Sequence, residues 1–179
     1  MEKIGKYTIK DIEEITNNIV VLVDTRENAN KHIISFFDQN NIKYESKKLD
    51  FGDYSFKVIP NKIITKIANF ENILCIERKN SLSEICLNFT KKREQFINEF
   101  ERAKKKNAKM NLMIEDENGF ENIIEGRYIS KMNRNSLRGS LMSFIDRYNC
   151  CLNFVNKEYA PIFIYDTFYY RLKNILKNK

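Results

Sequence analysis

ILCIERKNSLSEI, residues 73–85, holds an apolar run, three charges and a helix start within thirteen residues. Its first four residues are apolar, as is typical of a buried strand. Glu77, Arg78 and Lys79 follow at the point where an ordinary strand would turn. Ser81 can then accept a backbone N–H as the N-cap of a helix. This segment therefore predicts a strand followed by a helix, the repeating unit of an α/β fold.

The rest of the chain alternates strands and helices in the same way. Hydrophobic patterns predict strands over residues 19–25, 42–49, 52–59, 73–78, 109–116 and 151–156. They predict helices over residues 8–18, 29–40, 81–106, 119–125, 134–148 and from about 158 onward. We expect Asn28 to cap the second helix and the third helix to bend near Asn88, whereas residues 60–72 suit a loop or a small hairpin extension. This alternation predicts an α/β fold with a mixed central sheet flanked by helices.

Composition favours one compact domain over residues 1–179. The chain contains two prolines and five glycines, and nothing in it marks a linker or a repeat. The N-terminal residues MEKIGKYTIKDIEEI are polar and include acids, so they do not resemble a signal peptide. No apolar run is long enough to span a membrane. We therefore expect a cytoplasmic protein without a membrane partner.

Basic residues are concentrated in two segments of a chain whose net charge is +7. Residues 91–106 carry seven basic and three acidic side chains, and residues 126–140 carry four basic and none acidic. Either segment alone is equally compatible with a solvated surface. Two such segments in one small domain favour a polyanionic partner, in particular a phosphate backbone.

Acidic residues lie at or near the ends of three predicted strands. They are Asp24 and Glu27, Asp50 and Asp53, and Glu77. Carboxylates brought together at strand ends repel one another, and a divalent cation relieves that repulsion. Oxygen ligands of this kind suit Mg²⁺ or Mn²⁺.

Lys79 follows Glu77 by two residues, so both side chains point to the same face of a strand. A lysine beside a metal-binding carboxylate can orient a water molecule or help to deprotonate it, and the metal stabilises charge on a phosphate. Glu-x-Lys alone is usually a surface salt bridge. Its occurrence together with two further acidic strand ends is more specific and points to phosphodiester hydrolysis.

Three segments make the chain resemble the nuclease domain of the XPF family: VDTRE at 23–27, GDY at 52–54 and IERK at 76–79. The resemblance covers roughly residues 18–175 and is greatest to short, stand-alone members from bacteria and their phages. It implies a restriction-endonuclease-like, PD-(D/E)xK fold and cutting of branched DNA such as flaps, forks or junctions in repair or recombination. It also implies dependence on Mg²⁺, for which Mn²⁺ substitutes, and location in a bacterial cell, with a phage-encoded origin also compatible.

The resemblance assigns roles to individual residues. Asp53 and Glu77 are implied to be the central metal ligands, and Lys79 is implied to position the nucleophilic water. Asp24 and Glu27 are implied to flank the metal, either binding it, directly or through water, or helping a second ion.

Further residues are implied to contact DNA. Arg26 and Arg78 would hold the scissile phosphate or brace the acids, and for Arg78 a salt bridge to Asp24 or Glu27 is an equal alternative. The two basic segments supply the remaining candidates, which are Lys91, Lys92, Arg93, Arg127, Lys131, Arg134 and Arg138.

Two features depart from the family pattern. The family often carries an aspartate six residues after the motif glutamate, where this chain has Ser83 with Glu84 next to it. No helix-hairpin-helix module is recognisable, so DNA-structure recognition would come from the basic surface, a homodimer or a partner subunit. His32 is expected to be a surface or packing residue, since no second histidine exists.

Two rival functions remain compatible with the sequence. One is a non-catalytic DNA-binding subunit of a nuclease heterodimer, although such subunits lose the metal acids or the motif lysine. The other is a Holliday-junction resolvase or a restriction-type nuclease of the same fold, which would share the chemistry and differ in substrate.

Overall fold

The computed structural model describes residues 7–177. Seven strands form one mixed sheet in the order β2-β1-β3-β5-β6-β7, with β4 paired to β3. The strands are β1 (Ile19–Val23), β2 (Tyr44–Ser46), β3 (Tyr54–Val58), β4 (Ala68–Asn69), β5 (Leu74–Lys79), β6 (Lys109–Glu115) and β7 (Cys151–Val155). The helices are α1 (Ile9–Thr16), α2 (Lys31–Gln39), α3 (Leu82–Phe89), α4 (Arg93–Lys105), α5 (Phe120–Glu125), α6 (Arg134–Tyr148) and α7 (Ala160–Lys177).

Helices cover both faces of this sheet. Helices α1, α2 and α7 pack one hydrophobic cluster against it, with Ile15, Phe37 and Phe168 fully buried. Helices α3, α4, α5 and α6 pack a second cluster on the other face, around residues such as Ile85 and Phe100. This arrangement confirms the predicted α/β class with a mixed central sheet flanked by helices.

Strand direction places the beginning of β3 beside the ends of β1 and β5. Strand β3 is antiparallel to both of these neighbours, whereas β5, β6 and β7 run parallel. The residues that follow β1, precede β3 and end β5 therefore lie at one edge of the sheet, where the acidic strand ends were expected to meet.

Several element boundaries differ from the prediction. Helix α2 begins at Lys31 rather than after Asn28, and its N-cap residue Asn30 makes no side-chain capping bond. The Asn28 side chain instead donates to the Arg26 carbonyl at 3.0 Å. Strand β2 is shorter than the predicted 42–49, and the hairpin extension is present as β4, which pairs with β3.

The predicted helix over 81–106 is two helices. Ser81 does cap α3, because its hydroxyl accepts the Glu84 N–H at 3.2 Å. The helix ends at Phe89 because Thr90 leaves helical geometry, with φ −117° and ψ −92°, and its hydroxyl donates to the Cys86 carbonyl. Helix α4 then begins at Arg93. The expected bend near Asn88 is therefore a break two residues later.

The first predicted helix is confirmed within narrower bounds, with Thr8 and Asp11 forming a capping box at its start. Between residues 7 and 177, none of the helices is both long and apolar enough to cross a membrane.

Candidate active site

Backbone hydrogen bonds hold the acidic strand ends together. The Asp24 N–H donates to the Asp53 carbonyl at 2.8 Å, and the Asp53 N–H donates to the Ile76 carbonyl at 2.9 Å. The Arg78 N–H also donates to Asp53 Oδ2 at 2.8 Å. The position of Asp53 between β1 and β5 is therefore set by main-chain contacts on both sides.

Gly52 allows Asp53 to approach β5 so closely. Its φ is +73°, and a Cβ at this position would lie 2.8 Å from the Cys75 Cβ and 3.3 Å from the Ile76 carbonyl oxygen. Any side chain here would push the turn away from β5. The Gly52 N–H donates to Glu99 Oε1 at 2.9 Å, which brings α4 to the same point.

A cleft of about 190 Å³ opens over these residues, between the sheet edge and helices α3 and α4. It is lined by Arg26, Glu27, Asp53, Glu77, Arg78, Lys79, Glu84, Asn88, Lys92, Gln95, Phe96 and Glu99. We refer to this space as the acidic cleft, because five of these twelve side chains are carboxylates.

Glu77 and Lys79 point into the acidic cleft from β5, as their spacing predicts. Lys79 Nζ donates to Glu77 Oε1 at 2.5 Å, and the two side chains are 8% and 3% exposed. Glu77 Oε2 is buried and accepts no hydrogen bond from the described residues. An ionised oxygen in that position is costly unless a cation or a proton meets it.

Burial and like charge raise the pKa values of the cleft carboxylates. Burial and the neighbouring Glu77 hold the pKa of Asp53 well above its ordinary value. Burial also raises the pKa of Glu77, against the opposing effect of Lys79. The pKa of Glu99 is raised by burial and by Asp53. The cleft lining therefore brings five carboxylates together with four basic residues, of which Lys79 is the one hydrogen-bonded to Glu77.

Lys79 keeps its proton in this setting. Burial alone would lower the pKa of Lys79, but Glu77 and Asp53 beside it outweigh burial and raise the pKa. A protonated lysine donates hydrogen bonds and stabilises negative charge, and it cannot accept a proton from water. Both roles given to Lys79 from the sequence, orienting a water molecule and helping to deprotonate it, stay predictions, and the hydrogen bond to Glu77 holds its Nζ in the cleft.

The acidic cleft fits a divalent cation only in part. Within residues 7–177, no three acidic, histidine or cysteine side chains converge closely enough to hold a metal as they stand. Asp53 and Glu77 nevertheless have the required chemistry, because they are oxygen donors with raised pKa values and Glu77 Oε2 has no partner. Lys79 Nζ is hydrogen-bonded to Glu77 Oε1 and lies 3.7 Å from Glu84 Oε1.

The geometry does not favour the ligand role that was expected for Asp24. Asp24 Oδ1 accepts the backbone N–H and Nε of Arg26 at 2.8 and 2.6 Å. Asp24 Oδ2 accepts Arg26 Nη2 at 2.9 Å and the Leu49 N–H at 2.6 Å. Burial would raise the pKa of Asp24, but these contacts with Arg26 and Leu49 lower it. Both oxygens are occupied, so Asp24 anchors Arg26 and the Leu49 loop.

Arg26 is thereby held at the mouth of the acidic cleft. Its side chain is 54% exposed although it is bonded to Asp24, and its Nη2 also donates to the Leu49 carbonyl. Burial is limited, and the bond to Asp24 raises the already high pKa of Arg26. Its bonds to Asp24 fit the expected role of bracing an acid, and an anchored, exposed guanidinium also suits the other expected role, contact with a phosphate.

Arg78 points to the opposite face of the sheet and is buried. Its Nε and Nη2 donate to the two oxygens of Glu115 at 2.7 and 2.8 Å, and Nη1 donates to Glu27 Oε1 at 3.1 Å. The Arg78 side chain is 2% exposed. Of the two alternatives, the geometry favours the brace over the phosphate contact. Its partners are Glu27 and Glu115, and Asp24 is not among them.

His32 completes the other end of this network. Its Nε2 lies 2.9 Å from Glu115 Oε1, so α2 is joined through Glu115 and Arg78 to Glu27. Burial raises the pKa of Glu27, against the effect of Arg78. His32 was expected to be a surface or packing residue; it instead hydrogen-bonds a buried carboxylate.

Glu84 rather than Ser83 faces the acidic cleft. Glu84 Oε1 lies 3.7 Å from Lys79 Nζ, and Glu84 Oε2 accepts the Asn80 N–H at 2.9 Å. Ser83 lines a different groove on the other side of α3. Glu84 therefore places a carboxylate near Lys79, whereas Ser83, at the position where the family often has an aspartate, does not.

The basic residues 91–93 at the start of α4 face three different spaces. Lys92 lines the acidic cleft, Arg93 lines a cavity between α4 and α6, and Lys91 lines a groove beside α3. Lys131, from the second basic segment, lines the same groove as Lys91. The two basic segments therefore meet at one surface, on the other side of α3 from the cleft.

The other basic candidates, Arg127, Arg134 and Arg138, differ in the contacts that their side chains make. Arg127 forms ion pairs with Glu121 and Glu125. Arg134 donates to the Ile124 carbonyl at 3.2 Å. Arg138 is exposed on α6. Surface pairs such as those of Arg127 are weak enough to open when a phosphate approaches.

Two acidic residues of the site, Glu99 and Glu115, were not predicted from the sequence. Glu99 lies in α4 within a basic segment, so it was counted only as part of the charge balance. Glu115 ends β6, and this strand-end position is the same signal that identified Glu77. Glu99 lines the cleft and Glu115 braces Arg78.

Comparisons with known proteins agree with this architecture. The family model of the ERCC4 domain matches residues 23–164. The fold resembles that of XPF from Aeropyrum pernix, with a TM-score of 0.58 and 16% identity over 87% of this chain and 64% of that one. XPF from Aeropyrum pernix in complex with DNA gives a TM-score of 0.60 and 17% identity over 87% and 66%.

These likenesses establish the shared fold, and they confirm the resemblance to the XPF nuclease family. The chain spans slightly less than two thirds of the length of either XPF chain. No curated protein matches the sequence at a significant level.

Proposed function

The chain belongs to the ERCC4 domain family, and from that membership and the acidic cleft we propose that it is a divalent-metal-dependent DNA endonuclease. The observation that carries the proposal is the buried Glu77 oxygen without a hydrogen-bond partner, next to Asp53 and a protonated Lys79. This oxygen is buried among other carboxylates, where an added cation would offset its charge. The raised pKa values of Asp53 and Glu77, caused by burial and by neighbouring carboxylates, support a site that gains from an added positive charge.

Asp53 and Glu77 are the residues that would hold a Mg²⁺ or Mn²⁺ ion, with Glu99 and Glu27 close enough to add charge. When bound, such an ion neutralises charge on a phosphate and makes water more acidic. Lys79 donates a hydrogen bond that orients the attacking water or stabilises the developing negative charge. Arg26, fixed by Asp24, contacts the phosphate at the mouth of the cleft.

Positioning of Glu27 depends on residues that touch neither DNA nor metal. Arg78 ties Glu27 to Glu115 across the sheet edge, and the Arg78 N–H fixes Asp53 Oδ2. We therefore assign Arg78 to bracing the acids, and we assign Asp24 to holding Arg26. Glu84 takes the place of the acid absent at Ser83, through its proximity to Lys79.

DNA is the proposed substrate because basic side chains lie both in the acidic cleft and on a second surface. Arg26 and Lys92 line the cleft, and Lys91 and Lys131 line the groove on the other side of α3. A cluster of carboxylates alone would repel a polyanion, so these cations supply the attraction. XPF from Aeropyrum pernix has been solved in complex with DNA, which supports DNA as the partner of the present chain as well.

Selectivity for branched DNA, in repair or recombination, is proposed from the family resemblance. A homodimer or a partner subunit would supply recognition of the DNA structure. The competing assignment, a non-catalytic DNA-binding subunit, is disfavoured because Asp53, Glu77 and Lys79 are all present and converge. A junction resolvase or a restriction-type nuclease would use the same cleft on a different DNA.

Cleavage of a panel of fork, flap, four-way junction and duplex DNAs with Mn²⁺ or Mg²⁺ tests the proposal. Wild type should nick at least one branched DNA, and Asp53→Ala and Lys79→Ala should abolish nicking while retaining most DNA affinity. Asp50→Ala is the matched control, because Asp50 lies in the same loop with a side chain 59% exposed and outside the cleft. Absence of cutting by wild type, or normal cutting by both cleft variants, would refute the assignment.

A further inference from the structure

A second cavity, of about 250 Å³, lies between α4 and α6. Its apolar part is formed by Phe89, Phe96 and Phe144, each no more than 7% exposed. The rings of Phe96 and Phe144 stack with centroids 4.7 Å apart, and Phe89 meets Phe144 edge-on. These contacts fix the floor of the cavity, so its shape is already formed.

The rim of this cavity is polar and positive. Arg93 and Arg147 lie on it, together with the hydroxyl groups of Ser140 and Ser143. Within residues 7–177, neither arginine forms an ion pair with a carboxylate. Within the same residues, the Arg93 side chain makes one hydrogen bond, in which Nη1 donates to the Phe89 carbonyl at 3.4 Å. Two guanidinium groups without acidic partners, above an apolar floor, suit a ligand with an anionic and an aromatic part.

Only one aromatic ring separates this cavity from the acidic cleft. Phe96 lines both spaces, and Lys79 Nζ lies 5.4 Å from the centroid of its ring. Lys92 faces the cleft while the next residue, Arg93, faces the cavity. The two spaces are therefore adjacent, as two successive nucleotides of one DNA strand would require.

We propose that the cavity between α4 and α6 binds one unpaired nucleotide next to the cleaved phosphate. Its base packs against the phenylalanine floor, and its phosphate lies between Arg93 and Arg147. This inference rests on the proposed nuclease function and specifies how that site selects its substrate. A paired base remains stacked in the duplex and enters only at the cost of unstacking, whereas an unpaired base at a branch point enters freely. The cavity thus favours branched DNA over duplex.

Gly139 provides the means to test this. It lies on the cavity wall in α6, and an added Cβ would meet no atom within 4 Å, so Gly139→Leu is expected to add side-chain volume at this wall without a clash at its Cβ. Ser136→Leu is the matched control, because it adds the same side chain at an exposed position of the same helix outside the cavity.

The experiment measures binding of forked DNA by fluorescence anisotropy in EDTA, so that no cleavage occurs. Single abasic sites are moved one position at a time across the branch point. Wild type should bind the intact fork about tenfold more tightly than the fork with the abasic site at one position, which is within the range for stacking one base on aromatic side chains. Gly139→Leu should reduce this ratio to about one, and Ser136→Leu should keep it.

The outcomes separate the cavity from the nuclease assignment. A wild-type ratio near one at every position, or a tenfold ratio retained by Gly139→Leu, overturns the nucleotide cavity even if the protein cuts DNA with Mn²⁺. A tenfold ratio that is lost only in Gly139→Leu supports the cavity. The same result from a protein that cuts none of the DNAs supports the cavity and contradicts the nuclease.

Discussion

Replacement of Glu115 by glutamine should destabilise the protein strongly although Glu115 lies outside the acidic cleft. Glu115 accepts two hydrogen bonds from Arg78, at 2.7 and 2.8 Å, and both side chains are 2% exposed. The pair is therefore shielded from solvent and from salt. Glutamine has nearly the same shape but no charge, so Arg78 would remain buried with one negative partner, Glu27, at 3.1 Å.

The expected loss follows from this geometry. Removing one member of a buried ion pair costs about 3–5 kcal/mol, because the other charge stays buried without compensation. The glutamine carbonyl and Glu27 still accept from Arg78, so we expect the low end, about 3 kcal/mol. For a chain of this length, a loss of that size lowers the melting temperature by roughly 6–12 °C.

The effect of Glu115→Gln should also depend on pH. Burial would raise the pKa of Glu115, but the bonds from Arg78 outweigh it and lower the pKa. A carboxyl whose pKa is lower in the folded state contributes stability above its unfolded pKa, and that contribution is lost as pH falls through the folded value. The difference in unfolding free energy between wild type and variant should be full at pH 7 and shrink below the ordinary glutamate pKa.

Urea unfolding of wild type and Glu115→Gln, at pH 7 and at a series of acidic values, measures both effects. Glu121→Gln is the matched control, since Glu121 forms an ion pair with Arg127 at the surface with both side chains about half exposed or more. Such a pair contributes less than about 1 kcal/mol. If Glu115→Gln destabilises no more than Glu121→Gln, or if its effect grows as pH falls, the structural role given to Glu115 is wrong.

Three further changes have defined outcomes. Gly52→Ala should lower the unfolding free energy by about 1–3 kcal/mol in urea titrations, because its Cβ would lie 2.8 Å from Cys75 Cβ in a left-handed backbone; an unchanged midpoint would contradict the close approach. Asp24→Asn should destabilise by about 1–3 kcal/mol through its contacts with Arg26 and Leu49, and equal stability would restore a purely catalytic role for Asp24. Arg138→Ala should reduce the slope of log DNA affinity against log salt concentration by about 0.9, without changing cleavage of saturating DNA; an unchanged slope would remove Arg138 from the DNA-binding surface.

Much of the fold was predictable because β1 and the first half of β5 are continuous apolar runs. β1 and β5 cross the middle of the sheet, so burial on both faces leaves a strong signal in the sequence. The helix boundaries that were predicted wrongly depend on local hydrogen bonds from side chains to the backbone. The Asn28 side chain bonds backward to Arg26 and cannot cap a helix, and the Thr90 hydroxyl bonds backward to Cys86 where the third helix ends.

The candidate site was predictable where its residues lie at strand ends. Asp53, Glu77 and Lys79 meet in one cleft because strand direction brings those ends together. Glu99 could not be assigned from the sequence, because its place in the cleft depends on how α4 packs against the Gly52 turn. Asp24 lies at the correct edge, but neighbouring donors occupy both of its oxygens. Proximity to the site therefore did not reveal the role of each acid.

Binding of Mn²⁺ to the acidic cleft tests the central claim most directly. The concentration of free Mn²⁺ is measured by electron paramagnetic resonance while protein is added in the presence of forked DNA. The proteins are wild type, Asp53→Asn and Asp50→Asn, so that a residue of the cleft is compared with an exposed residue of the same loop. We predict that wild type and Asp50→Asn bind Mn²⁺ in a manner that Mg²⁺ displaces, and that Asp53→Asn binds at least tenfold more weakly. Equal Mn²⁺ affinity in all three proteins, or no binding by wild type, would contradict the account.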